Sequence, residues 1–310
     1  MSDPGATSGT PGALTILIAG GSGFIGTELT QQLRDHGHRV VVLVRHATHN
    51  PDERMWDPDA GWLNPETVER ADAVVNLSGA SISRLPWTLA YKRTILESRV
   101  NATTTLATAI SKANNPPAVF VSGSAVGYYG DRPGEVLTEQ SPIGEGFLPK
   151  VVDAWEKASR QASGATRVVN PRTGVVLGNG GLVNTLKLIT KVGGAGPLGS
   201  GTQHWPWISL YDEAAAIRHL IVDSDLAGPV NLAAPNPATA GDVMKTIARV
   251  EHRPYWLPAP SWAIKGALAD AGRELILADQ NESSQLLVAD GFGFRDTALD
   301  ETLEGALAAA

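Results

Sequence analysis

Gly20, Gly23 and Gly26 form a Gly-x-x-Gly-x-x-Gly motif between the apolar run 14–19 and an amphipathic segment. In such a motif the first glycine permits a tight turn, the second lets backbone approach a pyrophosphate, and the third lets a helix pack closely on a strand. The N–H groups and the dipole of a helix N-terminus favour negative charge at the same place. The motif therefore predicts a dinucleotide-binding loop, with a glycine-rich turn that holds no ligand as the alternative. It contains no Gly-Lys-Ser/Thr and is not a Walker loop.

The residue after the second apolar run indicates which dinucleotide binds. Arg45 follows the run Val40–Val44, at the point where an NAD-binding protein usually places Asp or Glu to hold the ribose 2′-hydroxyl. A carboxylate would repel a 2′-phosphate, whereas a guanidinium can pair with one. The sequence therefore predicts NADP(H), and the alternative is that Arg45 is a solvated loop residue.

A parallel sheet is needed to position these residues, and the sequence has the alternation of strand and helix patterns that predicts such a sheet. Short apolar runs alternate with longer helical patterns, which is typical of βαβ units. The predicted strands are Leu14–Ala19, Arg39–Val44, Ala73–Leu77, Ala118–Ser122 and Thr166–Arg172, and the predicted helices between them cover residues 24–36, 87–113 and 147–163. The pattern predicts an α/β fold, namely a Rossmann-type doubly wound parallel sheet.

The composition changes after about Gly178, where Gly- and Pro-rich stretches separate shorter helical patterns. Helices are expected near 212–223, 240–250, 262–277 and 298–308, and Trp207–Leu210 and Val230–Leu232 are expected to return to the main sheet. The predicted organisation is a disordered tail over 1–13, a Rossmann domain over 14–182 with about 206–234, and a smaller C-terminal substrate lobe over 183–205 and 235–310.

Three further segments resemble motifs of the extended short-chain dehydrogenase/reductases. They are VNLSGA (75–80), VNATTTL (100–106) and VSGSAVGYYG (121–130). A narrower resemblance, over about residues 14–308, is to the atypical epimerase-like subgroup known as the sugar-nucleotide epimerase or cell-division-inhibitor-like family. Its motifs here include SAVGYYG (124–130), RTGVVLG (172–178) and GPLGSGTQ (196–203).

The resemblance implies a set of cofactor contacts that runs from the glycine loop to the nicotinamide. Ser124 would lie near the nicotinamide ring. Arg99 would reach the cofactor from a following helix or, alternatively, pair with a surface carboxylate, and Leu77 could belong only to the core. The implied cofactor contacts are Gly20, Gly23, Phe24, Ile25, Gly26, Arg45, Leu77, Ser78, Gly79, Arg99, Pro171 and Thr173.

The usual proton donor of short-chain dehydrogenases has no counterpart in this chain. These enzymes use Tyr-x-x-x-Lys, in which the i,i+4 spacing puts both side chains on one helix face, and none of the five tyrosines has a lysine four residues later. Leu148 and Val152 occupy the equivalent positions. Ser124 and Tyr128 are the candidate catalytic substitutes. The predicted function is an NADP(H)-dependent oxidoreductase or epimerase acting on a small polar substrate, of which a nucleotide-sugar-like molecule is one candidate. The alternative is a non-catalytic NADP(H)-binding redox sensor.

The amino-acid composition argues against several classes of binding partner and cofactor. The net charge of −7 leaves no basic footprint for nucleic acid or anionic lipid, and without a single cysteine the chain can form neither disulfides nor thiolate metal sites. His46 and His49 have no third ligand nearby, so no metal site is predicted. A cytoplasmic protein is expected, with a small-molecule substrate and a possible homodimer.

Overall fold

The computed structural model describes residues 12–308, so the predicted tail falls almost wholly outside the described residues. The strands are β1 Thr15–Ala19, β2 Arg39–Val44, β3 Glu53–Asp57, β4 Trp62–Leu63, β5 Ala73–Asn76, β6 Val119–Ser122, β7 Ser124–Ala125, β8 Val136–Leu137, β9 Arg167–Thr173, β10 Val175–Leu177, β11 His204–Trp205, β12 Trp207–Ser209, β13 Gly228–Leu232, β14 Ala238–Thr239 and β15 Asn281–Glu282. The helices are α1 Phe24–Asp35, α2 Pro65–Glu69, α3 Leu89–Lys112, α4 Phe147–Ser159, α5 Gly181–Lys191, α6 Leu210–Val222, α7 Ala240–Val250, α8 Ser261–Ala271, α9 Gln285–Ala289 and α10 Leu299–Ala308.

A large, mostly parallel sheet forms the centre of the molecule, which confirms the predicted Rossmann-type fold class. Its strand order is β13-β9-β6-β5-β1-β2-β3-β4, with the short β7 beside β9. The chain builds outward from β1 in opposite directions, through β2 on one side and through β5 on the other. Ligands of open α/β sheets bind at such a reversal, beyond the carboxyl ends of the strands.

Helices cover both faces of the sheet because the central strands are apolar on both sides. Ile16 and Ile18 of β1 point into a core shared with α1 and α6. Leu17 points to the opposite face, into a core that contains Leu106 and Ile110 of α3. This alternation explains why β1 reads as a continuous apolar run.

Two predictions about the sheet need correction. Val230–Leu232 does join it, as part of β13 beside β9. Trp207–Leu210 does not, because β12 pairs with β10 in a separate two-stranded sheet and Leu210 already begins α6. The sequence also missed β3, whose residues ERMWD lack an apolar run because only Trp56 is buried in that strand near the sheet edge.

The C-terminal part of the chain has its own apolar cluster and closes onto the sheet domain. Trp205, Trp207 and Met244 belong to this cluster together with residues of α10. Farther along, Glu274 accepts hydrogen bonds from the backbone N–H groups of Phe147 (2.9 Å) and Leu148 (2.6 Å) at the start of α4. The proposed lobe boundaries stay a prediction. No helix within residues 12–308 is long and apolar enough to cross a membrane.

Candidate dinucleotide-binding site

The glycine motif forms a turn so tight that side chains would not fit. Gly20 has φ +84°, and a Cβ there would lie 2.8 Å from the carbonyl carbon of Leu77. A Cβ on Gly26 would lie 2.1 Å from the carbonyl oxygen of Gly20. The turn is closed by the N–H of Gly23, which donates to the carbonyl oxygen of Gly20 at 3.0 Å. The first and third glycines are therefore required by packing.

Helix α1 begins directly after this turn and presents its N-terminus to the cleft. Gly23 is the N-cap, no side chain caps the helix, and its first turn contains no acidic residue. The first-turn N–H groups and the helix dipole are thus left for an anion. This arrangement fits a pyrophosphate.

A cleft of about 1420 Å³ runs from the glycine turn past the carboxyl end of β2. Gly20 and Gly23 line one end, and Arg45 and His46 line another part. Arg45 is exposed and forms no ion pair within residues 12–308. The cleft therefore brings together the two features on which the dinucleotide prediction depends.

Sequence reasoning missed several side chains that the cleft brings to the same place. Arg34 lies on the same face of α1 as Thr27 and Gln31, and all three line the cleft. Asn101 lines it from α3. The i,i+4,i+7 spacing of the α1 residues was the available signal, because it places them on one helix face.

The loop after β5 forms another wall of the cleft. Leu77, Ser78 and Gly79 all line it. Arg99 lies behind this loop, where its Nη1 donates to the carbonyl oxygens of Ala80 (3.1 Å) and Ile95 (3.0 Å). Burial lowers the pKa of Arg99 to about 10. The two hydrogen bonds place Arg99 beneath the loop. It forms no ion pair among the described residues.

Ser124 belongs to a buried polar network at the carboxyl end of β9. Its hydroxyl donates to Oε1 of Glu156 at 2.7 Å. Glu156 also accepts from Arg172, through Nε at 2.9 Å and Nη2 at 3.0 Å, and both side chains of this ion pair are less than 5% exposed. Burial alone would lower the pKa of Arg172, but the hydrogen bonds and the charge of Glu156 hold it above its usual value.

Two tyrosines flank this ion pair. The ring of Tyr128 lies under the guanidinium of Arg172, whose carbon is 3.6 Å from the ring centroid. Tyr129 is fully buried, accepts a hydrogen bond from Arg172 and donates one to Asn231. Burial raises the pKa of Tyr129, with a further contribution from Glu282. Tyr128 is the half-buried member of the two tyrosines, and its hydroxyl forms no hydrogen bond with another described residue.

The remaining residues predicted to contact the cofactor lie on α1 and β9. The Phe24 ring packs against the turn that contains Gly178 and Gly180, and Ile25 contacts the core. Pro171 is buried in β9 and Thr173 is half-buried at its end. Their contacts with a cofactor stay a prediction.

A buried carboxyl group lies directly behind Thr173. The Thr173 hydroxyl donates to Oε1 of Glu213 at 2.6 Å, while Oε2 has no partner among the described residues. Burial raises the pKa of Glu213 to about 8, although the Thr173 hydrogen bond lowers it in part. The buried carboxyl group of Glu282 interacts with Glu213 and is also raised in pKa by burial.

We expect Glu213 to make folding stability fall with pH. Between a pKa of about 4.3 for an unfolded Glu and about 8 in the fold, the folded state keeps a proton that the unfolded state loses. This contribution to stability is complete below the lower pKa and is lost as the pH rises to the upper one, by about 5 kcal/mol. Urea unfolding at pH 5, 7 and 9 should show a flatter decline for Glu213→Gln than for the natural chain, whereas the exposed Glu301→Gln should not change it. An unchanged decline in Glu213→Gln would refute the assignment.

The positions that the resemblance aligns with the usual Tyr and Lys carry buried apolar side chains. Leu148 and Val152 of α4 are both buried. Leu148 contacts a cluster that includes Trp87 and, from the C-terminal part of the chain, Ala271. Apolar side chains therefore occupy the positions that the resemblance aligns with the usual acid–base pair.

The chain is similar to several known proteins in sequence and in structure. The model of the NAD dependent epimerase/dehydratase family matches residues 16–233. The chain is 39% identical to epimerase family protein Mb2239 of Mycobacterium bovis, covering 93% of this chain and 96% of that protein. It is 35% identical to epimerase family protein YfhF of Bacillus subtilis, covering 95% and 98%. The crystal structure of human epimerase family protein SDR39U1 with NADPH is similar at a TM-score of 0.85 and 32% identity, covering 94% of this chain and 99% of the human one.

Proposed function

Because the chain belongs to the NAD dependent epimerase/dehydratase family, we propose that it binds NADP(H) in the cleft between the glycine turn and Arg45. The observation that carries this proposal is the turn itself, where a Cβ on Gly26 would lie 2.1 Å from the Gly20 carbonyl oxygen and an uncapped helix N-terminus follows. The first-turn amides would hold the pyrophosphate, and Arg45 would hold the 2′-phosphate. The human relative solved with NADPH supports this choice of cofactor.

The contacts that we propose along the cofactor extend from this turn to β9. Leu77, Ser78 and Gly79 would pass along the cofactor, with Arg99 supporting the loop from behind. Pro171 and Thr173 would line the nicotinamide side. A buried polar atom without a partner lies near this end: the Trp155 ring contacts the position of a Cβ on Gly123, and its Nε1 donates to none of the described residues. Such an atom is satisfied when a ligand or water supplies an acceptor.

The proposed activity is oxidoreduction or epimerisation of a small polar substrate. When bound, the nicotinamide supplies or accepts a hydride. A proton must then move at the substrate oxygen, and Tyr128 is the better candidate donor, because the proton of Ser124 is already donated to Glu156. The Arg172 guanidinium over the Tyr128 ring would help to hold that ring in place. Ser124 would accept or relay a hydrogen bond beside it.

A specific observation favours a second candidate, a non-catalytic NADP(H)-binding redox sensor. By the resemblance, Leu148 and Val152 take the positions of the usual acid–base pair; both are buried, and Leu148 belongs to an apolar cluster with Trp87 and Ala271. In this case the protein would bind the cofactor and report its redox state to a partner without turning it over.

The two candidates differ in turnover. NADPH oxidation should be followed against a panel of carbonyl compounds and nucleotide sugars, the latter also with product analysis for epimers. If the protein is an enzyme, Tyr128→Phe should reduce the turnover that is found by at least about 100-fold, as expected for loss of a general acid, while NADPH affinity is retained. Tyr91→Phe, at another half-buried tyrosine that does not line the cleft, serves as the matched control. Turnover that survives Tyr128→Phe would remove the role of Tyr128, and tight NADPH binding without turnover across the panel would favour the sensor.

A further inference from the structure

The exposed large apolar side chains are concentrated in two segments of the C-terminal half. Of thirteen such side chains among the described residues, six lie within residues 188–192 and 256–262. Val192 is 80% exposed and Trp262 is 77% exposed. We call this set the C-terminal patch; its members are Leu188, Ile189, Val192, Trp256, Leu257 and Trp262.

Backbone hydrogen bonds join the two segments into one surface. The N–H groups of Trp256 and Leu257 both donate to the carbonyl oxygen of Ala195 at 3.0 Å. The N–H of Gly199 donates to the carbonyl oxygen of Ala259 at 2.8 Å. The loop that follows α5 is therefore held beside the segment before α8, and the exposed apolar side chains lie on and next to these joined segments. A contiguous exposed patch of this kind usually marks an interaction site.

The charged side chains in these two segments and next to them in sequence are basic. The chain contains 32 acidic residues and has a net charge of −7, yet residues 157–211 and 252–269 contain no Asp or Glu. Arg253 and Lys265 are exposed, and neither forms an ion pair with another described residue. Each lies three residues from an exposed tryptophan, Trp256 or Trp262. Lys191 and Lys187 lie on either side of Glu251 at the edge of the patch.

We propose that the C-terminal patch binds the surface of an anionic lipid bilayer. Exposed Trp and Leu side chains next to Lys and Arg are the composition of segments that lie in a membrane interface. The indole ring favours the boundary between headgroups and acyl chains, and each cation gains from the negative surface potential. Among the described residues no helix spans the bilayer, so attachment would be peripheral.

Charge argues against a second copy of the chain as the occupant. A two-fold symmetric dimer through this patch would place the same surface against itself. Arg253, Lys265 and Lys191 would then face like charges, with Glu251 as a carboxylate already paired to Lys187 and Lys191. Like-charge juxtaposition opposes association, whereas an anionic surface neutralises these cations.

The patch is separate from the proposed cofactor site. None of its six members lines the cleft between the glycine turn and Arg45. Cofactor binding can therefore be measured on patch variants as evidence that they are folded. The net charge of the whole chain gave no indication of lipid binding because it averages this basic region with the acidic remainder.

The test is sedimentation of the full chain with vesicles, either of pure phosphatidylcholine or of phosphatidylcholine mixed with phosphatidylglycerol. We expect binding to the mixed vesicles at low salt, with much weaker binding to phosphatidylcholine and at high salt. Trp256→Ser with Trp262→Ser should weaken binding by more than about tenfold, because affinity follows the buried apolar area. Arg253→Gln with Lys265→Gln should weaken it by about fivefold per cation.

Trp62→Ser and Arg70→Gln are the matched controls, since both side chains are exposed outside the patch. They should leave vesicle binding unchanged, and all variants should retain NADPH affinity. The proposal is overturned if the natural chain does not bind anionic vesicles at low salt, or if the Trp variant binds as well as the natural chain. A dimer that the Trp substitutions dissociate, without vesicle binding, would identify a second copy as the occupant and would also overturn it.

Discussion

Arg172→Met is expected to reduce the free energy of unfolding by about 3–5 kcal/mol, because it leaves the Glu156 carboxylate buried without its partner. The two side chains are 3% and 4% exposed and share two hydrogen bonds. Among the described residues, Ser124 would be the one donor left to the Glu156 carboxylate. The measurement is urea unfolding at neutral pH.

The double variant Glu156→Leu with Arg172→Met separates loss of the ion pair from loss of packing. It should recover most of the stability, because replacing both members of a buried pair with apolar side chains removes the unpaired charge. Arg70→Met, which breaks an exposed pair with Glu66, should cost less than about 1 kcal/mol. If the double variant is as unstable as the single one, the effect of Arg172 does not come from the unpaired carboxylate.

Arg45→Asp is expected to weaken NADPH binding by about 100-fold, since a charge-assisted hydrogen bond to the 2′-phosphate is lost and a repulsive carboxylate replaces it. NADH affinity should be retained or increased, because an acidic residue at this position can hold the 2′-hydroxyl. Both affinities can be measured by fluorescence titration of the purified protein.

The control for this prediction is Arg70→Asp, which makes the same change of charge on an exposed arginine outside the cleft. It should leave the ratio of NADPH to NADH affinity unchanged. Arg34 also lines the cleft, so a small residual preference for NADPH in Arg45→Asp would be consistent with a second cation there. An unchanged ratio in Arg45→Asp would show that Arg45 does not contact the 2′-phosphate.

Much of the fold could be predicted because the central strands are apolar on both faces. Strands β1 and β2, for example, begin and end within one residue of their predicted bounds. Strand β3, next to the edge strand β4, could not be found this way, because its one buried side chain, Trp56, gives no apolar run. Trp207–Leu210 was misplaced because an apolar run does not tell which sheet a strand joins.

The polar network at the carboxyl end of β9 could not be predicted. Glu156 and Arg172 lie sixteen residues apart on a helix and a strand, and they meet only because α4 packs on that face of the sheet. The same is true of Thr173 and Glu213, which are separated by forty residues. The local glycine motif, by contrast, is determined by backbone geometry within seven residues and could be recognised directly.

Titration of the natural chain with NADPH and with NADH tests the central claim most directly. The account predicts saturable binding of NADPH to one site per chain, with clearly weaker binding of NADH. If neither nucleotide binds, the glycine turn does not hold a dinucleotide in this protein and the proposed function is wrong.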